Sequence, residues 1–132
     1  MAMNKILVIG GSGFVGTHLA NQLVARNISV VVPTRRRERT KQLILLPAVD
    51  MIEADVFDEA ALVRLMDGVD AVVNLVGVLH SDPALPYGPA FKRAHVDLPR
   101  IIVAACKKAG VRRLVHMSAL NASTTAPSEY LR

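Results

Sequence analysis

Residues 10–16, GGSGFVG, offer more chemistry for their length than any other stretch. Two spacings are present at once. Gly11, Gly13 and Gly16 fit G-x-G-x-x-G, and Gly10, Gly13 and Gly16 fit G-x-x-G-x-x-G. In such a string the first glycine permits a tight turn. The middle one lets backbone N–H groups approach a pyrophosphate, and the last lets a helix pack closely on a strand. The helix that opens here presents unpaired N–H donors and the positive end of its dipole to phosphate. The stretch with Ser12, Phe14 and Val15 is therefore assigned to a dinucleotide. Gly11 and Gly16 also have the spacing of a nucleoside-triphosphate loop, but Thr17 and His18 follow where Lys and Ser/Thr are required. Without that lysine the terminal phosphates have no counter-charge, which excludes a triphosphatase.

A second cluster selects the form of the cofactor. Five of the 16 Lys and Arg fall between Arg35 and Lys41, in PTRRRERTK. A ribose 2′-hydroxyl is normally held by an acid about 20 residues past the glycine turn. No acid precedes these arginines. A carboxylate would repel a 2′-phosphate, whereas a guanidinium grips it with two hydrogen bonds. Arg35 and Arg36 are assigned this role, so NADP is expected over NAD. Asp55, followed by Val56, ends a strand-like run and is placed to accept a hydrogen bond from the adenine amino group. Leu75, Val76 and Gly77 close another run where small residues let the chain pass near the cofactor. Asn74, inside that apolar run, needs a buried partner.

The elements that must position these groups alternate. Aliphatic runs at 5–10, 28–32, 49–55, 70–77 and 112–118 read as strands. Between them lie helical patterns. One spans 14–26, with Val15, Leu19 and Leu23 on one face and Asn27 at its end. Another lies around Gln42 to Leu46. A third, from Glu59 to Met66, is capped by Asp58 and closed by Gly68. The last runs from Ala90 to Ala109 and is stopped by Gly110. Pro99 inside it predicts a kink, or a fresh first turn capped by Asp97. Residues 80–89 read as a loop. The pattern predicts an α/β fold, a doubly wound parallel sheet of five strands in order 3-2-1-4-5, forming one domain over residues 1–132. The fifth strand sits at an exposed edge, which favours self-association.

Composition narrows the rest. The chain is 52% hydrophobic with only 4% aromatic residues and no Trp, which suits a Val, Leu and Ile core. A net charge of +5 permits nucleic acid, but the basic cluster lacks interleaved aromatics, which argues against that class. The single Cys106, in IIVAACKKAG, reads as a small buried hydrophobe, and the four His are scattered without metal-ligand spacing. The N-terminal apolar run is too short and glycine-broken for a signal helix, and no stretch is long enough for a membrane span. A cytoplasmic location is expected.

The glycine turn, ADV, NLVG, HMSAL and the late Tyr130 together resemble the extended or atypical short-chain dehydrogenases/reductases, the NAD(P)-dependent epimerase/dehydratase group. Within it, VPTRRRER and VNLVG resemble the branch of the complex I accessory subunits. The resemblance covers nearly the whole chain but only about half of a typical member. It implies a Ser-Tyr-Lys chemistry with Tyr and Lys spaced Y-x-x-x-K. Ser118 matches the serine and Tyr130 the tyrosine, while the lysine position falls beyond Arg132. A free tyrosine titrates near ~10, so the missing ammonium implies a chain that catalyses little alone. His95, in HVDLP, stands where the family often has Asn. The implied activities are reductase, epimerase or dehydratase chemistry on a small-molecule substrate, or a non-catalytic dinucleotide-binding sensor or subunit.

Overall fold

A computed structural model describes residues 3–11, 13–34, 48–77, 88–118, 122, 123 and 125. The expected helix around Gln42 to Leu46 lies outside the described residues, as do Ser12, Arg35, Arg36 and Tyr130 and most of the 80–89 loop. The strands are β1 (Lys5–Ile9), β2 (Ser29–Thr34), β3 (Val49–Glu53), β4 (Ala71–Asn74) and β5 (Leu114–His116). The helices are α1 (Phe14–Ala25), α2 (Glu59–Leu65), α3 (Pro89–Lys92) and α4 (Leu98–Ala109). Every pairing is parallel, and the order is β3-β2-β1-β4-β5, as expected.

Parallel strands buried on both faces need no polar alternation, and β1 shows why. Leu7 and Ile9 point to one layer with Val72, against Leu62 and Met66 beside α2 and Leu98 and Ile102 of α4. Ile6 and Val8 point to the other, with Val30, Val32 and Val73, against Ala20 of α1. Each such buried aliphatic side chain contributes about 2 kcal/mol relative to exposure. Cys106 belongs to the first layer, and burial pushes its thiol above the ordinary range.

The helix ends follow local chemistry. Asp58 accepts from the N–H groups of Ala60 and Ala61, and Gly68 turns the chain with φ +72°. Asn27 takes φ +61° after α1, and Gly110 takes φ +76° after α4. The expected face of α1 is met at Leu19 and Leu23, which pack against the second layer beside Ala20. Val15 of the same stripe is 46% exposed, and Gly16 is the buried residue against the preceding turn. Pro99 lies in the first turn of α4, as one of the two expected forms has it, but Asp97 does not cap that turn. A π-helical turn over Arg93–Asp97 joins α3 to α4, and Asp97 keeps helical dihedrals with no side-chain cap. The wider turn relieves the clash of the proline ring with the carbonyl one turn back. Asp97 instead lies 3.7 Å from Lys92 Nζ.

The regular part of β5, Leu114–His116, is shorter than the expected run, and β4 is its one neighbour among the described residues. All three of its residues are exposed. Its flanks still bond β4: Val72 N–H donates to the Arg113 carbonyl at 2.9 Å, and Met117 N–H to the Asn74 carbonyl at 3.0 Å.

Candidate functional site

The carboxyl ends of all five strands point to one rim, and the predicted site residues that are described lie along it. The glycine turn leaves β1 there, and its four glycines do different things. Gly10 has φ +82°, and a Cβ on it would sit 2.8 Å from Val76 N. Gly11 is buried, and a Cβ would meet Val32 and Val8 methyls at 3.1 Å. Gly16 faces Gly11 so closely that a Cβ would fall 2.4 Å from its Cα. Gly13 is the open one among the described residues, with the Gly10 carbonyl oxygen as its one described neighbour, at 3.8 Å. The left-handed residue is thus Gly10, and the 10-13-16 spacing describes the turn. Gly11 serves packing.

Among the described residues nothing covers the start of α1. Gly13 supplies no side-chain cap, and no acid lies in the first turn. The first N–H groups of a helix have no partner within it, so those at Phe14, Val15 and Gly16 are available to an anion. The Thr17 hydroxyl donates to the Gly13 carbonyl at 2.8 Å, alongside the helical bond from Thr17 N–H at 2.9 Å. Phe14 is 81% exposed and meets His18 edge-on, with ring centroids 4.6 Å apart.

On one side of the turn lies the end of β3. Asp55 is exposed, and its Oδ1 accepts from Phe57 N–H at 3.0 Å. One carboxylate oxygen therefore shapes the entry to α2. Oδ2 has no partner among the described residues. Val56 is half-buried against the core.

On the other side β4 and β5 end. Leu75 N–H donates to the Ile9 carbonyl at 2.8 Å, which holds the segment against β1. Gly77 is exposed, and a Cβ there would touch His95 Cε1 at 3.3 Å. The π-helical turn thereby brings His95 to the rim. Asn74 is the buried polar residue of the core, at 1% exposure. The expected partner exists: its Nδ2 lies 3.1 Å from His116 Nδ1, and its Oδ1 accepts from Val76 N–H at 3.2 Å. Sequence reasoning missed His116. The signal was present: AVVN and RLVH are aliphatic runs closed by one polar residue, and the parallel register sets Asn74 beside His116. Ser118 follows two residues later and is exposed.

Far from this rim, Asp70 accepts from Asn4 and Lys5 N–H at 2.7 and 3.0 Å. Those two bonds hold its carboxyl below the usual range. Among the described residues no group of His, Cys, Asp or Glu is arranged to hold a metal, and no helix is long and apolar enough to cross a membrane.

A doubly wound parallel sheet with an open phosphate turn on its central strand defines a nucleotide-binding class of domain. The sequence matches the NAD dependent epimerase/dehydratase family over residues 6–129, and the chain belongs to that family. It is similar to the mouse mitochondrial NADH dehydrogenase (ubiquinone) 1 alpha subcomplex subunit 9, at 30% identity over 95% of this chain and 33% of that protein. It is also similar to a 2-alkyl-3-oxoalkanoate reductase of Stenotrophomonas maltophilia, at 33% identity over 86% of this chain and 33% of that protein. Among solved structures, a dTDP-glucose 4,6-dehydratase from Streptomyces venezuelae, determined with NAD bound, superposes with a TM-score of 0.71 at 29% identity. That likeness covers 86% of this chain and 39% of the other. The chain thus spans about a third of the length of the curated relatives it matches.

Proposed function

We propose that this chain is the NAD(P)-binding unit of a short-chain dehydrogenase/reductase-type oxidoreductase, epimerase or dehydratase. The observation that carries the reading is the turn itself. Three of its glycines are closed in by protein, and the open one, Gly13, lies beside an uncapped helix start. The residues present fit a dinucleotide. Residues 10–16 would cradle its diphosphate, Asp55 Oδ2 would face the adenine, and Leu75, Val76 and Gly77 would line its passage over β4. Arg35 and Arg36 would neutralise a 2′-phosphate, which favours NADP. When bound, the dinucleotide supplies or accepts hydride.

Ser118 and Tyr130 are the proposed chemical pair. The serine hydroxyl would bond a substrate oxygen and the tyrosine would exchange a proton with it. The tyrosine needs a neighbouring cation to work near neutral pH. A cytoplasmic location belongs to the same proposal. A fluorescent fusion found in mitochondria would refute that part.

Calorimetric titration of NADPH and NADH tests the cofactor reading. NADPH is expected to bind at least tenfold more tightly. Replacing Arg35 and Arg36 together by Ala should remove that preference and leave NADH affinity nearly unchanged. Clear NADH preference in the parent protein would overturn the assignment.

A second reading is a dinucleotide-binding subunit without catalysis. The 30% identity to the mouse complex I protein favours it. Tight NADPH binding with no oxidation of NADPH across a panel of ketones and aldehydes would support it over the first. Turnover of any of them would exclude it.

A further inference from the structure

One buried amide at the rim determines the state of an exposed histidine. Asn74 Oδ1 accepts from the Val76 main-chain N–H, which can only donate. That bond settles which end of the amide is which, so the group facing His116 Nδ1 at 3.1 Å is Nδ2. An amide Nδ2 also only donates. Nδ1 of His116 must therefore be the bare nitrogen, and the ring proton sits on Nε2. Reversing the amide would set N–H against N–H at Val76. The ring is exposed, and among the described residues nothing bonds Nε2.

The position of this N–H follows from the strand order. The diphosphate belongs at the end of β1. The adenosine half belongs over β2 and β3, where Arg35, Arg36 and Asp55 lie in the chain. The other half must then run over β4 and β5. β5 is two strand spacings from β1, about 10 Å, which is within reach of a mononucleotide. We propose that His116 is a cofactor-binding residue, its Nε2–H donating to the neutral carboxamide oxygen of the nicotinamide. The assignment rests on the dinucleotide reading above. A neutral donor suits the place, because the oxidised nicotinamide ring is itself cationic and a second positive charge there would repel it.

The test is nuclear magnetic resonance on the full chain with ¹⁵N-labelled histidine, read through long-range ¹H–¹⁵N correlations. His116 should show a bare Nδ1 and a protonated Nε2, and the opposite pattern would overturn the proposal. Asn74→Asp should place a proton on Nδ1, because a carboxylate accepts where the amide donated. A folded N74D protein whose Nδ1 stayed bare would also overturn it. At saturation with whichever of NADPH and NADH binds more tightly, the His116 Nε2 resonance should shift. The matching ADP-ribose, which lacks nicotinamide, should leave it in place. Unmoved resonances in a sample that calorimetry shows to be saturated, or equal shifts with ADP-ribose, would sink this assignment alone. Failure of both dinucleotides to bind would overturn it together with the cofactor reading.

Discussion

Gly13 and Gly16 are three residues apart in one turn, yet a methyl group would meet opposite fates at the two positions. At Gly16 it would strike the Gly11 backbone at 2.4 Å, and backbone cannot rotate away. Gly16→Ala is expected to cost roughly 3 kcal/mol in urea unfolding, at the upper end for overpacking. At Gly13 the methyl would meet only the Gly10 oxygen at 3.8 Å. Gly13→Ala should stay within about 0.5 kcal/mol of the parent in stability. It should nevertheless weaken dinucleotide binding tenfold or more by calorimetry, because the methyl enters space reserved for the diphosphate. Unchanged binding would remove Gly13 from the site. Spacing alone could not separate these roles. Two glycine patterns overlap in residues 10–16, and only the positive φ at Gly10 decides between them. Asn74 was legible as a residue in need of a partner. His116 was not recognised, because strand register is a property of two segments and neither states it alone.

Among the elements, α2 is the one whose ends the sequence announces best. Asp58 caps it through Ala60 and Ala61, and the helix brings Leu62 to the central layer, where it has no exposure. Asp58→Ala should cost about 1 kcal/mol with an unchanged denaturant slope. A loss near zero would mean that packing alone sets the helix start. The last helix was harder to read. A proline within an apolar helical pattern announces a break but not its form. Here the break is a π-helical turn that sets Arg93 3.7 Å above the Phe57 ring and brings His95 against Gly77. For α1 the apolar stripe was legible at Leu19 and Leu23, which pack on the sheet. Val15 of the same stripe is exposed, because the close contact of Gly16 with Gly11 takes the inward place at the start of the helix.

For the molecule as a whole, strand order was legible because near-continuous aliphatic runs alternating with helices have few parallel arrangements. The pairing that joins its halves was not. Asp70, just before β4, brackets the start of β1 through Asn4 and Lys5 across 66 and 65 residues of sequence. Its carboxyl is lowered by those two bonds, so the stabilisation exists when it is ionised. The contribution is full above the unfolded pKa, about 3.9, and fades as pH falls through the lower folded value. Asp70→Asn should lower the thermal midpoint at pH 7, and the gap to the parent should close on acidification below about pH 4. A gap independent of pH would show that the charge is irrelevant there.

The only room at Gly10 is that left by its missing side chain: a Cβ there would strike main-chain atoms at the exit of β4, Val76 N and Leu75 C, with no rotatable group between them. Side chains absorb small displacements by changing rotamer, and a peptide plane has no such slack. Any remodelling of the cleft over β4 that moves its exit by a few tenths of an ångström is therefore felt at once by the phosphate turn. Diversification of what the outer half of the cleft accepts is pushed into side chains, such as those at 95, 116 and 118, while the path of the chain beneath them stays the same.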